Sequence, residues 1–331
     1  MTALLRQWTV VCGSSRSDPV FALGSMPKCR YFPLLALRLV LSTKVPSEGA
    51  PLGVCKFVVD VKGQSMIFDS LASEEVHPQR DVVISIVSHG HGRMIEHLLS
   101  DLASQCAGQD CSISRVVVTL NIPEPLPRLT GWPFKVELVH NKKPRGFGAN
   151  HNRALAASSE SFLCVLNPDI RFFPGERVLD TLIDAAGRQE VGIAYPMQVD
   201  EAGVLQDCER AIPTPWALFL RYTASKRVEQ VDWVNAACLV LRRNVWEQLA
   251  GFDEGYFMYC EDVDLSLRVR LAGLTIQRAE VKVCHAGQRG SRKSLKHFRW
   301  HVASLLRLWS SPVFYKACRL LQPIPDGRHR I

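Results

Sequence analysis

The first candidate for a chemical role is Asp169, a carboxylate just after an apolar run. The segment SFLCVLNPD, at 161–169, ends in Asn167, Pro168 and Asp169. A carboxylate just beyond a buried strand can hold a hard divalent cation together with the phosphates of a nucleotide, because such cations prefer oxygen ligands. Asn-Pro-Asp is also common in an ordinary turn after a strand. The segment alone leaves both interpretations open.

A second candidate is the glycine-containing loop GFGANHN at 146–152, which leads into a predicted helix. Free backbone N–H groups at the start of a helix favour phosphate, and Lys142, Lys143 and Arg145 stand just before the loop. The combination suits a diphosphate, although an ordinary turn into a helix fits equally well. The candidate donor-binding residues of this loop are Gly146, Gly148, Asn150 and Asn152.

A third candidate is a cluster of three acidic residues, Glu261, Asp262 and Asp264. The acids at its start, Arg268 four residues after Asp264 and Gly273 as a terminator together predict a helix rather than a strand. Such acids often only complement the helix dipole, but a carboxylate in a cleft opposite a nucleotide can act as a general base. Adjacent helical residues point about 100° apart, so Glu261 and Asp262 cannot both face one acceptor hydroxyl in the same way.

Short, nearly all-apolar strands must position these groups. We predict strands at 81–88, 115–121, 135–141, 161–167, 191–195, 237–242 and 275–283, and helices at 94–105 and 149–158. This alternation predicts an α/β fold, an open, mostly parallel sheet with helices on both faces. Ligands bind such sheets at the carboxyl ends of the strands, where Ser88, His89, Asn121 and Asn167 stand. No G-x-G-x-x-G fingerprint follows the first strand, which argues against a dehydrogenase.

The composition indicates a globular chain whose positive charge is concentrated at one end. The 331 residues are 47% hydrophobic with a net charge of +8, which excludes collagen-like and wholly disordered classes. Ten Lys or Arg and one acidic residue fall within 286–331. We predict a basic amphipathic helix from about Ser294 to Trp309. Lacking a recognition motif and an aromatic-rich basic groove, the chain is not expected to bind nucleic acid.

Three roles are open for this basic helix. It can pack on the domain with a solvated cationic face, attach to an anionic membrane surface, or bind a polyanionic acceptor. Membrane attachment would use Arg292, Lys293, Lys296 and Arg299. Since no run approaches the roughly 20 apolar residues of a membrane span, we expect a cytoplasmic protein, peripheral on the inner face of the cytoplasmic membrane.

We divide the chain into a poorly structured extension at 1–80, the catalytic α/β domain at 81–290 and a basic helical segment at 291–331. Met66 is predicted as the native start, because the residues before it carry no fold signature. The eleven cysteines contain no C-x-x-C pair and several lie in apolar runs. We therefore expect reduced, buried thiols.

Five motifs in order resemble bacterial family 2 glycosyltransferases of the GT-A fold, especially the rhamnosyltransferase-like members that build surface polysaccharides. Within about 81–310 these motifs are VVISIVS, GFGANHNRAL, VLNPDI, VDWVNAACLVLRRNVWEQLAGFDEGYFMYCEDVDLSLRVRLAG and VKVCHAG. The resemblance implies an inverting sugar transfer from a nucleoside-diphosphate donor, with dTDP-L-rhamnose as one candidate. The acceptor it implies is a hydroxyl of a glycan or lipid-linked glycan, and the cofactor is Mg²⁺ or Mn²⁺.

The resemblance also implies roles for individual residues. Asp169 matches the metal-binding final acid of the family's D-x-D motif, and His285 resembles a histidine that completes the metal site in some relatives. Glu261 and Asp262 match an acidic pair whose second member is usually the base. The segment that resembles the lining of the sugar and acceptor pocket contributes Trp233, Asn235 and Ala236.

Two positions depart from the family pattern, and both bear on the identity of the donor. Asn167 replaces the first acid of D-x-D, and Asn121 stands where an acid commonly contacts the nucleobase. Two alternatives stay open. A sugar-nucleotide pyrophosphorylase-like nucleotidyltransferase would share the fold, but it should carry a Gly-rich loop with a basic residue directly after the first strand. An inactive interaction subunit would need no acids at positions 169 and 262.

Overall fold

The computed structural model describes residues 80–106, 111–223, 231–286 and 295–321, together with three strands nearer the start of the chain. These are β1 (Arg38–Leu41), β2 (Cys55–Val61) and β3 (Gln64–Ser70), which form an antiparallel sheet. They belong to a compact unit at 1–76, and residues 77–331 form a second unit. Regular strands therefore occur within the first 80 residues, where the sequence predicted little structure. Met66 itself lies in β3, opposite Val59 of β2.

The described residues of the second unit contain ten strands. In chain order they are β4 (Val82–Ser88), β5 (Ile113–Leu120), β6 (Lys135–His140), β7 (Phe162–Leu166), β8 (Ile170–Phe172), β9 (Val191–Val199), β10 (Glu209–Arg210), β11 (Trp233–Val234), β12 (Cys238–Arg242) and β13 (Thr275–His285). β10 and β11 form a two-stranded ribbon. The others form one sheet in the order β6-β5-β4-β7-β12-β9-β13-β8.

Helices cover both faces of this sheet. They are α1 (Arg93–Gln105), α2 (Phe147–Leu155), α3 (Val178–Gly187), α4 (Pro215–Thr223), α5 (Arg243–Leu249), α6 (Glu261–Leu271), α7 (Leu295–Trp309) and α8 (Pro312–Leu320). The apolar residues of α1 and α3 pack in one cluster, and those of α2, α5 and α6 pack in another. Alternate residues of β4 enter the two clusters, Ile84 one and Val83 the other, because side chains alternate along a strand. The predicted open α/β architecture is confirmed.

Strand direction decides which residues meet at the edge of the sheet. The strands β4, β5, β6 and β7 are mutually parallel, as predicted, and β9 is parallel to β13. β12 runs antiparallel to β7 and β9, and β8 runs antiparallel to β13. The start of β12 therefore lies beside the carboxyl end of β7, with Cys238 opposite Leu166. This antiparallel insertion brings residues from both halves of the domain to one edge.

The helix predicted from Ser294 to Trp309 is present as α7, beginning at Leu295. Leu308 of α7 and Phe314 and Ala317 of α8 join a third buried cluster with residues of α6 and of the segment before it. Arg292 and Lys293 lie outside the described residues. None of the described helices is long and apolar enough to cross a membrane.

The prediction of reduced thiols is wrong for one pair of cysteines. Cys106 and Cys111 form a disulfide with their Cα atoms 4.4 Å apart. Cys106 directly follows α1 and Cys111 precedes β5, so the short connection between these elements brings them together. Six other cysteines of the described residues are free thiols, namely Cys164, Cys208, Cys238, Cys260, Cys284 and Cys318.

Candidate active site

The ends of β7 and β13 bring Asp169 and His285 together. Asp169 stands just before β8, which pairs antiparallel with β13 and places Ile170 opposite His285. The Nε2 atom of His285 lies 3.5 Å from Oδ2 of Asp169, and both side chains are largely buried. At this separation a carboxylate oxygen and an imidazole nitrogen can both contact one cation, and this mixed donor set fits Mn²⁺ better than Mg²⁺.

Gln206 fixes which nitrogen of His285 faces the carboxylate. The side-chain Nε2 of Gln206 donates to the backbone carbonyl of His285 at 2.7 Å, so its Oε1 must be the atom 3.1 Å from His285 Nδ1. Nδ1–H of the ring therefore donates to Gln206, and Nε2 is the nitrogen that faces the carboxylate of Asp169. A cation bound between that nitrogen and the carboxylate would have its imidazole ligand already oriented by Gln206. Among the described residues, no group of three or more His, Cys, Asp or Glu is placed to hold a metal ion.

The acidic pair begins α6 after a constrained turn. Tyr259 and Cys260 have φ values of 72° and 65°, and neither is glycine. Side chains with a Cβ are uncommon in this left-handed region, and such residues concentrate at functional sites. The turn sets the direction in which Glu261 and Asp262 enter the helix. As predicted, α6 begins at Glu261 and Asp264 pairs with Arg268, whose Nε lies 2.7 Å from Oδ2 of Asp264.

The two acids differ in their electrostatic surroundings. Burial, reinforced by the charge of Asp262, raises the pKa of Glu261 well above its ordinary value, and its buried Oε2 has no hydrogen-bond partner. Burial also raises the pKa of Asp262, to about 6, against hydrogen bonds from backbone N–H groups and the positive charge of Arg210. A pKa of about 6 leaves Asp262 largely ionised at neutral pH. Burial and the neighbouring charge favour the protonated form of Glu261.

The segment 235–237 connects Asp262 with the end of β7. The backbone N–H of Ala236 donates to the carboxylate of Asp262. One residue on, the carbonyl of Ala237 accepts from the backbone N–H of Asn167 at 2.8 Å. The side chain of Asn235 forms two hydrogen bonds with the buried Gln198, at 2.7 and 3.0 Å. Through these hydrogen bonds, the segment places the carboxylate of Asp262 and the Asn167–Asp169 turn at the same edge of the sheet.

Trp233 is a buried side chain that packs against the guanidinium of Arg210. Its indole Nε1–H donates to the carbonyl of Ala211 at 2.8 Å, and only 7% of the residue is exposed. The guanidinium of Arg210 lies over its ring, 5.0 Å from the centroid. Trp233 therefore holds Arg210 close to Asp262, and Arg210 is a residue that the sequence did not single out.

A carboxylate that the sequence did not single out organises the loop after β4. Oε2 of Glu124 accepts from the hydroxyl of Ser88 at 2.9 Å and from the backbone N–H of Gly92 at 3.1 Å, while Oε1 accepts from Gly90 N–H at 3.2 Å. Ser88 is fully buried, whereas His89 is exposed. Ser88 thus shapes the loop through Glu124, and His89 is the member of this pair that a donor can reach.

Three asparagines hold the loop before α2. Oδ1 of Asn121 accepts from the backbone N–H of Arg145 at 2.8 Å and from Nδ2 of Asn141 at 2.8 Å. Nδ2 of Asn141 also donates to Oδ1 of Asn150 at 2.6 Å. Asn121 and Asn150 are buried, so in this structure they position the loop instead of facing solvent. The exposed groups that they present are Lys142, Lys143 and Arg145.

The glycines of the predicted donor loop are explained by close packing. A Cβ on Gly146 would lie 2.7 Å from the carbonyl oxygen of Phe257, and one on Gly148 would lie 2.6 Å from Cβ of Phe252. The backbone N–H of Phe147, the first residue of α2, donates to the carbonyl of Phe257 at 2.9 Å and is therefore not available to a phosphate. These contacts dock α2 on the segment that leads to α6, which is a structural role.

Asn152 is held away from the candidate site. Its side chain exchanges hydrogen bonds with the backbone of Phe252, at 2.8 and 2.9 Å, and donates to Glu254. It lines a separate cavity of about 390 Å³ together with Trp246 and Arg243. Of the predicted donor residues, His89 and Asn167 remain beside the edge where Asp169 and Asp262 lie.

The chain is similar in sequence to bacterial rhamnosyltransferases. No family model matches the chain. It is 32% identical over 181 residues to the N-acetylglucosaminyl-diphospho-decaprenol L-rhamnosyltransferase of Mycobacterium tuberculosis, covering 45% of this chain and 58% of that protein. It is 28% identical over 247 residues to the rhamnosyltransferase WbbL of Escherichia coli strain K12, covering 68% of this chain and 91% of that protein. The chain thus spans little more than half the length of the mycobacterial relative.

Two solved structures show weaker likeness. The mannosyltransferase PcManGT from Pyrobaculum calidifontis, in complex with GDP-Man and Mn²⁺, gives a TM-score of 0.44 at 17% identity over 74% of this chain and 76% of that chain. TarS 1-349 of S. aureus, in complex with UDP, gives a TM-score of 0.42 at 13% identity over 70% of this chain and 66% of that chain. Neither likeness identifies an activity for this chain.

Proposed function

We propose that this chain, which is similar to bacterial rhamnosyltransferases, transfers a sugar from a nucleoside-diphosphate donor to an acceptor hydroxyl during synthesis of a bacterial surface polysaccharide. The observation that carries the proposal is the segment 235–237, which joins the ionised Asp262 to the turn that contains Asp169. A proton acceptor and a candidate diphosphate site therefore lie at the same edge of the sheet. This is the arrangement that a displacement at a sugar carbon requires.

In the proposed reaction Asp262 accepts the proton of the acceptor hydroxyl. The oxygen then forms a bond to the anomeric carbon of the donor, the bond from that carbon to the diphosphate breaks, and the nucleoside diphosphate leaves with its electron pair. A single displacement inverts the configuration at that carbon. A base with a pKa of about 6 is largely ionised at neutral pH and still basic enough to assist the attack.

Asp169 and His285 are the residues proposed to hold a divalent cation, with Gln206 orienting the imidazole. When bound, such a cation stabilises the negative charge of the leaving diphosphate. The exposed Lys142, Lys143 and Arg145 are proposed to add positive charge on the donor side, held in place by Asn121 and its partners. The mixed carboxylate and imidazole set favours Mn²⁺.

We take dTDP-L-rhamnose as the first donor to test and a lipid-linked glycan as the acceptor class, since the named relatives are rhamnosyltransferases, one of them acting on a decaprenol-linked substrate. An acceptor of this class is presented at a membrane. We accordingly propose peripheral attachment to the inner face of the cytoplasmic membrane.

The deciding experiment measures nucleoside diphosphate released by the full chain from a panel of nucleotide sugars, with and without Mn²⁺ and a lipid-linked acceptor. We expect acceptor-dependent release from one donor, stimulated by Mn²⁺, and a product whose anomeric configuration is inverted by NMR. Asp262→Asn is the matched control, because it keeps the size of the side chain and removes its basicity. Release of pyrophosphate from a sugar phosphate and nucleoside triphosphate would indicate the nucleotidyltransferase instead. Absence of turnover with donor binding intact would indicate an inactive subunit.

A further inference from the structure

Helix α7 contacts residues 257–259, which precede the acidic pair, through a polar and aromatic face. Nδ1 of His297 lies 2.9 Å from the hydroxyl of Tyr259, and the hydroxyl of Ser304 donates to the carbonyl of Met258 at 2.8 Å. The ring of Trp300 lies 4.8 Å from that of Phe257. These contacts fall on the residues directly before Glu261. The helix therefore supports the turn that aims the acidic pair.

Four apolar residues of α7 lie on the opposite face and are exposed, whereas Leu308 is buried against the domain. Leu295 is 84% exposed, Phe298 61%, Val302 38% and Leu306 57%. At 100° per residue they fall within an arc of about 80°, which is centred roughly opposite His297, Trp300 and Ser304. An amphipathic helix normally buries its apolar face against the domain. Here the domain binds the other face, except at the end of the helix, where Trp309 donates to the carbonyl of Pro213. The apolar row from Leu295 to Leu306 is left for a partner.

The charges around this row favour an anionic partner. The described residues 295–321 contain no acidic residue. Lys296 and Arg299 on α7, and Lys316 and Arg319 on α8, are exposed and make no ion pair with any described residue. Arg307 is the exception, because it binds Asp253 at 2.9 Å. A second copy of this chain would bring the same cations together, and their repulsion opposes pairing through this face.

We propose that α7 lies in the plane of an anionic lipid bilayer, with Leu295, Phe298, Val302 and Leu306 inserted among the headgroups and acyl chains. Lys296 and Arg299 then contact the lipid phosphates. Because the opposite face of the same helix holds residues 257–259, the bilayer and the acidic pair are fixed on two sides of one helix. A lipid-linked hydroxyl at the bilayer surface would therefore lie close to the acidic pair. The inference rests on the proposed function for this last step only.

The test is sedimentation of the full chain with vesicles of phosphatidylcholine containing phosphatidylglycerol, compared with phosphatidylcholine alone. We expect binding to the anionic vesicles, and a loss of at least tenfold in partition coefficient for Phe298→Glu and for Leu306→Glu. Leu126→Glu and Val204→Glu are matched controls, since these apolar residues are 60% and 61% exposed elsewhere. High salt should weaken binding without abolishing it, because inserted apolar side chains are not screened.

Milder variants guard against misfolding. Phe298→Ser and Leu306→Ser should give the same order of loss with unchanged thermal unfolding. Equal vesicle binding by wild type and these variants would overturn the inference, and so would concentration-dependent dimerisation that the variants abolish. Nucleotide release with a water-soluble acceptor separates the two proposals. If that activity is absent while the vesicle results are as expected, the proposed function fails and the docking surface stands.

Discussion

The Nε2 atom of His285 lies 3.5 Å from Oδ2 of Asp169, on a ring whose other nitrogen is held by Gln206. The pair joins the end of β7 to the end of β13, which are separated in the sheet by β12 and β9. The geometry is preorganised, since hydrogen bonds fix the imidazole before any ligand binds. Substitution of Gln206 should therefore affect metal binding, as substitution of the two candidate ligands should.

Asp169→Ala should abolish the Mn²⁺-dependent part of nucleotide binding, because it removes the carboxylate oxygen of the candidate site. Calorimetric titration of the nucleoside diphosphate, with and without Mn²⁺, measures this directly. Glu201→Ala, at an exposed acid on the turn after β9, serves as the control. An unchanged Mn²⁺ effect in Asp169→Ala would move the metal role to other residues.

Gln206→Ala should weaken Mn²⁺ binding by about 10–100-fold while leaving both ligands in place, because the imidazole loses the partner that orients it. Gln206→Glu keeps an acceptor for Nδ1–H and should retain more affinity than the alanine variant. Equal affinities in wild type and Gln206→Ala would show that His285 is positioned by other contacts.

Asp262→Asn should lower turnover by about 10²–10⁴-fold with donor binding retained, since the variant lacks only the proton acceptor. Glu261→Gln should be much milder, because burial and the charge of Asp262 raise the pKa of Glu261 and so favour its uncharged form, which glutamine resembles. Single-turnover kinetics alongside calorimetry separates the two effects. A severe loss in Glu261→Gln with near-normal Asp262→Asn would assign the base to the wrong neighbour.

The rate should depend on pH through Asp262. Its pKa is raised to about 6, so kcat/KM should rise with pH through about 6 and level off above it, and Asp262→Asn should flatten this limb. The same shift has a stability consequence. A carboxyl group with a raised folded-state pKa stabilises the fold below its ordinary pKa and loses that contribution as pH rises through about 6. At pH 7 to 8, Asp262→Asn should therefore unfold at a higher Tm than the wild type.

The pairing of Asp264 with Arg268 should contribute to stability instead of catalysis. Asp264→Ala leaves a largely buried guanidinium without its carboxylate and should cost about 3–5 kcal/mol of unfolding free energy. Arg243 and Glu247 form an exposed pair with the same spacing, 3.4 Å apart, and Glu247→Ala should cost under about 1 kcal/mol. Denaturant unfolding of both variants provides the comparison.

Much of this protein follows from local sequence patterns. Short, nearly all-apolar runs predict the strands β4 to β7 and their parallel order, and the acids before Arg268 predict α6. Because strand ends are local features, Asp169, Asn121 and Ser88 could be placed at the carboxyl edge of the sheet without a structure. The acidic pair was indicated by the resemblance to a known family, and the choice of Asp262 over Glu261 stays a prediction supported by their different burial.

Only the tertiary structure decided which distant residues meet. Gln206, Glu124 and Arg210 carry no motif, and their contacts with His285, Ser88 and Asp262 depend on the order and register of strands far apart in the chain. Gly148 looked suited to a phosphate and proved to be needed for the close approach of Phe252. Helical periodicity showed that α7 has an apolar face, but it could not show which face the domain binds. The hydrogen bonds of His297 with Tyr259 and of Ser304 with Met258 determine which face is bound. Such contacts between distant segments cannot be predicted from sequence periodicity.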